Sequence, residues 1–158
     1  MENIIIRPAN IEDRDPLKDM YIHMYDILSS FGMPYRLNEE IIDDVLSLIL
    51  KARTNKIFLA EMEGKLIGFV VVDIARLDRK LSYKPNNIMA NIKDIYVIPS
   101  LGRTGVGQRL LNTAENWAFE NGASIIECNV LNNNEPALKF WNNNEYEIMG
   151  KILYKILK

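Results

Sequence analysis

The chain has 158 residues, about one domain's worth, with 48% hydrophobic and 25% charged residues, the composition of an ordinary soluble globular fold. Nineteen basic and 21 acidic residues leave a net charge of −2, which speaks against a dedicated nucleic-acid binder, because such proteins draw their affinity from a strongly basic face. The longest apolar stretch, Leu66 to Val72 with Gly68 inside it, is far too short to span a bilayer.

One cysteine, Cys128, cannot form an internal disulfide, and with one histidine, His23, it cannot build a zinc site unless carboxylates supply the other ligands. Met1-Glu2-Asn3 carries neither the basic nor the apolar region of a secretory leader. A cytoplasmic, metal-independent single domain over residues 1–158 is expected.

Ile4-Ile5-Ile6 predicts a short buried strand ending at Arg7-Pro8. Leu17, Met20, Tyr21, Met24, Ile27, Leu28 and Phe31 recur at helical spacing. That helix has two candidate starts, Asn10 with Asp13, or Asp15 before Pro16. Asn38 opens a second helix with the stripe Ile41, Ile42, Val45, Leu46 and Ile49. Ile57–Glu61 and Leu66–Ile74 predict a hairpin turning at Glu63-Gly64.

A polar stretch from Arg76 to Asn87 predicts a mobile surface loop before a long strand, Ile88–Ile98. A glycine-rich turn, Gly102 to Gly107, leads into a helix with Val106, Leu110, Leu111, Ala114, Trp117 and Ala118 inside. Ser124–Leu131 is the next strand, Asn132–Asn134 caps a short helix, and two strands near Tyr146–Met149 and Lys151–Leu157 finish the chain. The fold class is α/β, a single mixed central sheet flanked by helices, in the order β-α-α-β-β-β-α-β-α-β-β. The strand–loop–helix–strand unit around Gly105 predicts a right-handed parallel crossover.

Glycines at a strand-to-helix junction let backbone N–H groups crowd round a ligand, and the helix beyond adds free donors and partial positive charge. Phosphate is the natural occupant. A Walker loop has the spacing of Gly102 and Gly107 but requires Lys and a hydroxyl where Gln108 and Arg109 stand. A dinucleotide fingerprint matches Gly105 and Gly107 but requires glycine at Leu110. Both spellings fail on named residues.

The run from Asp94 to Leu111, with Gly105-Val106-Gly107 at its core, resembles the acetyl-CoA signature of the GNAT N-acetyltransferase superfamily. Gly102 stands where that family usually has Gln or Arg, and Arg103 is displaced by one residue. Asn134 and Ala137 are in register with the family's NxxAxxxY helix, Trp141 stands near the place of its tyrosine, and Glu145-Tyr146 replaces a usual Gly-Phe. The resemblance implies a transferase of the GNAT fold that moves an acetyl group from acetyl-CoA to an amine.

Carried over residue by residue, it implies that Ile95, Tyr96 and Val97 line the pantetheine arm through their backbones, with the Val97 N–H near the thioester oxygen. The amides of Arg103, Thr104, Gly105, Val106, Gly107 and Gln108 would hold the pyrophosphate, and Asn134 and Asn129 would touch the donor from the second wall. Some relatives carry a basic Glu at the position of Lys93; Asp94 beside it is a candidate base, although simple strand alternation turns it to the face of Ile92 and Tyr96. Trp141 occupies the proton donor's place, an indole is not a general acid, and Tyr96 and Tyr146 are the substitutes.

Met20, Met24, Phe31, Met33 and Tyr35 are candidates to line an acceptor pocket, with core packing an equal reading for the methionines. The implied acceptor is a small-molecule, amino-acid or peptide amine, with no nucleic acid, membrane or metal involved; the family also admits homodimers. A competing reading is a non-catalytic acyl-CoA-binding sensor, favoured by Lys93 and Trp141.

Overall fold

The triple isoleucine forms β1 (Ile4–Pro8), and the computed structural model, which describes residues 3–158, makes it an edge strand with Ile5 49% exposed. Met1-Glu2, the start of the segment in which no leader is expected, lies outside the described residues. Of the two helix starts left open by the sequence, Asn10 is used. Its side chain accepts the Glu12 N–H at 2.9 Å while the Asp13 carboxylate accepts the Asn10 N–H at 2.8 Å. This closes a short 3-10 turn (Ile11–Asp13) that runs into α1 (Arg14–Ser30). Arg7 on β1 grips the same Asp13 through two 2.9 Å hydrogen bonds, so the helix is tied to the sheet at its start.

Helix α2 (Ile42–Lys51) begins later than its apolar stripe, and only Ile42 and Leu46 are buried. Strands β2 (Asn55–Met62) and β3 (Lys65–Arg76) meet in the expected hairpin, with Glu63 and Gly64 both at positive φ, 51° and 77°, as a two-residue type I′ connection requires. The stretch after β3 lies on the surface, as expected, and carries hydrogen bonds of its own. Asn87 accepts the Tyr83 N–H and donates to the Leu81 carbonyl, and Asn86 reaches the Gly122 carbonyl.

Strand β4 (Ile88–Val97), a 3-10 turn (Pro99–Leu101), α3 (Val106–Glu120), β5 (Ile125–Cys128) and α4 (Glu135–Asn143) complete the order. The sheet runs β1-β2-β3-β4-β5, antiparallel except for the parallel β4–β5 pair, which α3 connects. Alternation along β3 divides two cores. Val70 and Val72 face α3 and α4 with Leu110, Leu111, Ala114 and Trp141, whereas Phe69 and Val71 face α1 and α2 with Leu17, Tyr21 and Leu46.

A β-bulge interrupts β4. Val71 pairs with Asp94 and Val72 with Ile92, leaving Lys93 unopposed. The extra residue reverses the phase of the strand. Ile92 joins the α3 core, while Tyr96 joins the α1–α2 core and Asp94 bonds to α1. Uninterrupted alternation would have put Asp94, Ile92 and Tyr96 on one face; the bulge separates Ile92 from the other two.

The element order through α4 is the expected one, but the last two strands do not pair with the sheet. Tyr146 is docked, and from Glu147 onward every residue is exposed, with Ile148, Met149, Ile152, Leu153, Tyr154, Ile156 and Leu157 between 65% and 89%. An alternating apolar pattern specifies what a strand would bury, but does not bring a sheet edge within its reach.

Candidate functional site

The β4–β5 ladder runs from Met89 opposite Ile125 to Ile92 opposite Cys128 and then stops, whereas β4 continues to Val97. The two strands therefore part into a cleft lined by Asn91, Ile92, Lys93, Glu127, Cys128 and Asn129. On its other side β4 stays paired to β3. The Ile98 N–H donates to the Ile67 carbonyl at 2.9 Å, and the Tyr96 carbonyl points at Gly68. By alternation, the N–H and C=O groups of Val97 and Ile95 turn to the open side. Tyr96 differs from the expectation, since its backbone faces β3; only its ring, 7% exposed and 6.0 Å from that of Phe69, bears on the surroundings.

Gly68 on β3 is a close-approach position that the sequence did not flag. A Cβ there would lie 2.6 Å from the Tyr96 carbonyl and 3.3 Å from the Val97 Cα, so β3 approaches β4 at the mouth of the cleft only because that position lacks a side chain.

At the end of β4 the chain turns through Gly102–Gly105 into α3. Gly105 is the N-cap with φ 88° and no side chain fills its surroundings within 4 Å. Arg103 also takes a left-handed φ of 65°, while Gly102 has an ordinary φ of −59°. Two left-handed residues, rather than three glycines, shape the turn. Thr104 is exposed and its hydroxyl donates to the Leu101 carbonyl.

The first amide of α3 with a helical partner is that of Arg109, donating to Gly105; the helix has no side-chain cap and no acidic residue in its first turn. The amides of Val106, Gly107 and Gln108 therefore point outward with the helix's partial positive charge behind them. A Cβ on Gly107 would lie 3.8 Å from the Val97 side chain and 3.6 Å from the Phe140 ring, which places this first turn beside the end of the cleft.

On the α1 side, Asp94 accepts a 2.7 Å hydrogen bond from the hydroxyl of Tyr21, itself 5% exposed. Burial pushes the Asp94 carboxyl up to about 6, partly offset by the Tyr21 hydrogen bond and by Lys93. Burial and the neighbouring Asp94 push the Tyr21 phenol well above its ordinary value. Lys93 itself turns to Asp73, at 3.5 Å.

Asn134 spends its side-chain oxygen on the Ala137 N–H at 3.2 Å as the cap of α4, while Asn129 is exposed at the cleft. Trp141 is 7% exposed, with its ring packed edge-on against Phe140 at 5.2 Å and Tyr146 at 4.8 Å. The Tyr146 hydroxyl donates to Glu115 on α3 at 3.0 Å. Trp141 and Tyr146 are thus built into the α3–α4 core, whereas Tyr96, the other candidate donor, belongs to the α1–α2 core. Met20 and Met24 are buried between α1 and the sheet, and Tyr35 stands 70% exposed. Among the described residues no group of three His, Cys, Asp or Glu side chains could hold a metal ion, and no helix is long and apolar enough to cross a membrane.

The profile of the Acetyltransferase (GNAT) family matches residues 19–145. An uncharacterized N-acetyltransferase of Methanocaldococcus jannaschii is 26% identical over 145 residues, covering 90% of this chain; the chain spans only 60% of that relative's length. An uncharacterized N-acetyltransferase of Archaeoglobus fulgidus is 23% identical over 136 residues, 86% of this chain and 88% of the other. Among solved structures, the aminoglycoside N-acetyltransferase AAC(6')-Iy in complex with CoA superposes with a TM-score of 0.81 at 18% identity, over 100% of this chain and 97% of its own.

Proposed function

The chain belongs to the acetyltransferase (GNAT) family, and from that premise we propose that it transfers the acetyl group of acetyl-CoA to a primary amine of a small molecule, an amino acid or a peptide. The observation that carries the reading is the parting of β4 from β5 beyond Ile92 and Cys128, with the uncapped start of α3 beside its end. The residues present fit the donor. A Cβ at Gly105 would meet no neighbouring atom within 4 Å, the α3 amides suit a pyrophosphate, and the open backbone of Ile95 and Val97 suits an amide-bearing arm.

Acetyl-CoA supplies an activated acyl group and a leaving thiol when bound. Each remaining task falls to this chain. The amides of Arg103 to Gln108 hold the phosphates, Ile95 and Val97 align the arm, and the Val97 N–H donates to the acyl oxygen, where negative charge develops. Asn129, exposed at the cleft, and the free amide nitrogen of Asn134 contact the donor from the β5 side.

An acceptor amine arrives as an ammonium with pKa ~10 and must lose a proton before it attacks. Asp94, with its carboxyl at about 6, is ionised at neutral pH and takes that proton; Tyr21 orients it, and Tyr96 shares its face of β4. Proton transfer to the thiolate is left to solvent, since a thiol of pKa ~8.5 is a competent leaving group near neutrality.

Thermal melts with acetyl-CoA, ATP and NAD test the donor. Acetyl-CoA at a hundred times its Kd adds ~2.7 kcal/mol of apparent stability, and stabilisation by ATP or NAD alone overturns the reading. Thiol release across a panel of amines then tests transfer. Donor binding without release for any amine would support the sensor instead.

A further inference from the structure

We propose that Lys93 is an internal acceptor: with no amine substrate present, the chain transfers the acetyl group of bound acetyl-CoA to its own Lys93 Nζ. The inference rests on the donor reading above and adds to it a modification site. Of the residues lining the cleft between β4 and β5, only Lys93 carries a primary amine. It is the bulge residue, opposed by nothing on β3, and its side chain is 53% exposed.

Strand register places this amine on the face where the base stands. Val71, opposite Asp94, faces α1 and α2, and Asp73, two residues further along β3, shares that face. The Lys93 Nζ lies 3.5 Å from the Asp73 carboxylate, so it stands on the same side of the sheet as the Asp94 carboxylate. The two are close enough that the lysine's charge is one of the influences lowering the Asp94 pKa.

Asp73 does not lock the lysine in place. Asn91 already donates to the other oxygen of Asp73 at 3.0 Å, and an ion pair of this length on a half-exposed lysine contributes little. Released from Asp73, the four-carbon stem covers the two residues to Ile95, roughly 6.6 Å along the strand, where the donor's arm passes. Cys128, the other nucleophile at the cleft, is not poised in this way. It packs on the α3 core, and burial pushes its thiol up to about 11.

The step needs nothing beyond the chain, its donor and water. The Lys93 ammonium gives one proton to Asp94, and the freed lone pair forms a bond to the thioester carbonyl carbon while the Val97 N–H holds its oxygen. The carbon–sulfur bond breaks and its electron pair leaves on sulfur. The second nitrogen proton passes through solvent to that thiolate, and Asp94 returns its own to solvent. The products are a neutral acetyl-lysine and a free thiol.

Incubating the full chain with acetyl-CoA at mildly alkaline pH, with no added amine, and mapping peptides by mass spectrometry tests the assignment. Lys93 is expected to take up acetyl at least about tenfold faster than the exposed Lys65 and Lys80, at a rate per chain independent of protein concentration. Asp94→Asn is expected to slow Lys93 to the rate of those two lysines. Lys93→Arg, which keeps the charge beside Asp73, is expected to accept one acetyl group fewer. Equal labelling of the three lysines, a rate per chain that rises with protein concentration, or acetyl held on Cys128 and released by hydroxylamine overturns the proposal. A thermal melt on the same sample separates the two readings. Stabilisation by acetyl-CoA without label on Lys93 overturns the internal acceptor alone, whereas no stabilisation and no label overturn the donor reading with it.

Discussion

Tyr21 on α1 and Asp94 on β4 stand 73 positions apart in sequence and meet in a 2.7 Å hydrogen bond, the link that joins the helical layer to the strand forming one wall of the cleft. It holds a carboxylate that burial would otherwise keep protonated to higher pH.

Replacing Asp94 with Asn is expected to lower the acceptor-dependent rate by roughly 10²–10⁴-fold, the usual contribution of a positioned base. In the native protein the rate should fall as pH drops through about 6, as the carboxyl takes up a proton; the variant should lose that limb. Stability should move the other way. A carboxyl raised from 3.8 to about 6 on folding contributes stability below 3.8 that is lost as pH rises through about 6. Asp94→Asn should therefore match or exceed the native protein at pH 7, by at most about 3 kcal/mol. Steady-state pH profiles and melting curves on the same samples read both effects.

Tyr21→Phe removes the hydroxyl that lowers the Asp94 pKa, so the acidic limb of the rate profile should shift to higher pH. The ring's contact with Phe69, centroids 4.8 Å apart, is kept, and the expected loss of stability is about 1 kcal/mol. A limb that stays in place would show that another group titrates.

Gly105→Val forces a branched residue into a φ of 88°, a strain of roughly 1–3 kcal/mol, yet its Cβ meets no protein atom within 4 Å. The chain should fold and lose acetyl-CoA affinity by at least about tenfold, ~1.4 kcal/mol. Gly64→Val is the control, equally left-handed at φ 77° and equally open, but in the β2–β3 turn; it should lose stability and keep its affinity. Titration calorimetry of the two variants separates strain from occlusion.

Trp141→Tyr should lower the melting temperature without changing the single-turnover rate. The indole is packed between Phe140 and Tyr146, and shrinking it leaves unfilled space in the α3–α4 core, at about 1–3 kcal/mol. A faster chemical step in the variant would restore the acid role that the sequence had suggested for this position.

Through α4 the architecture was legible because its signals are local: the Glu63-Gly64 turn, the three-and-four spacing of Leu17 to Phe31, and the glycine at the start of α3. The site was legible only in part. Gly105 and Val97 could be located from the spelling of one loop, whereas the facing of Asp94 depends on a bulge that no periodicity announces, since it arises where β3 and β4 settle their register. Gly68 was hidden for a similar reason, because its role is a contact with a carbonyl on another strand. The slot of Trp141 in the motif does not say which neighbours close over it, and its packing against Phe140 and Tyr146 is visible only in the folded chain.

Lys93 gives the bulge an architectural consequence. The bulge absorbs this one additional residue, so that the strand keeps Ile92 in the layer under α3 and Asp94 and Tyr96 in the layer under α1. Excising Lys93 would let Asp94 follow Ile92 directly, still opposite Val71 and Val72 and still on the faces they hold now, so β4 would absorb the loss as a straightened strand.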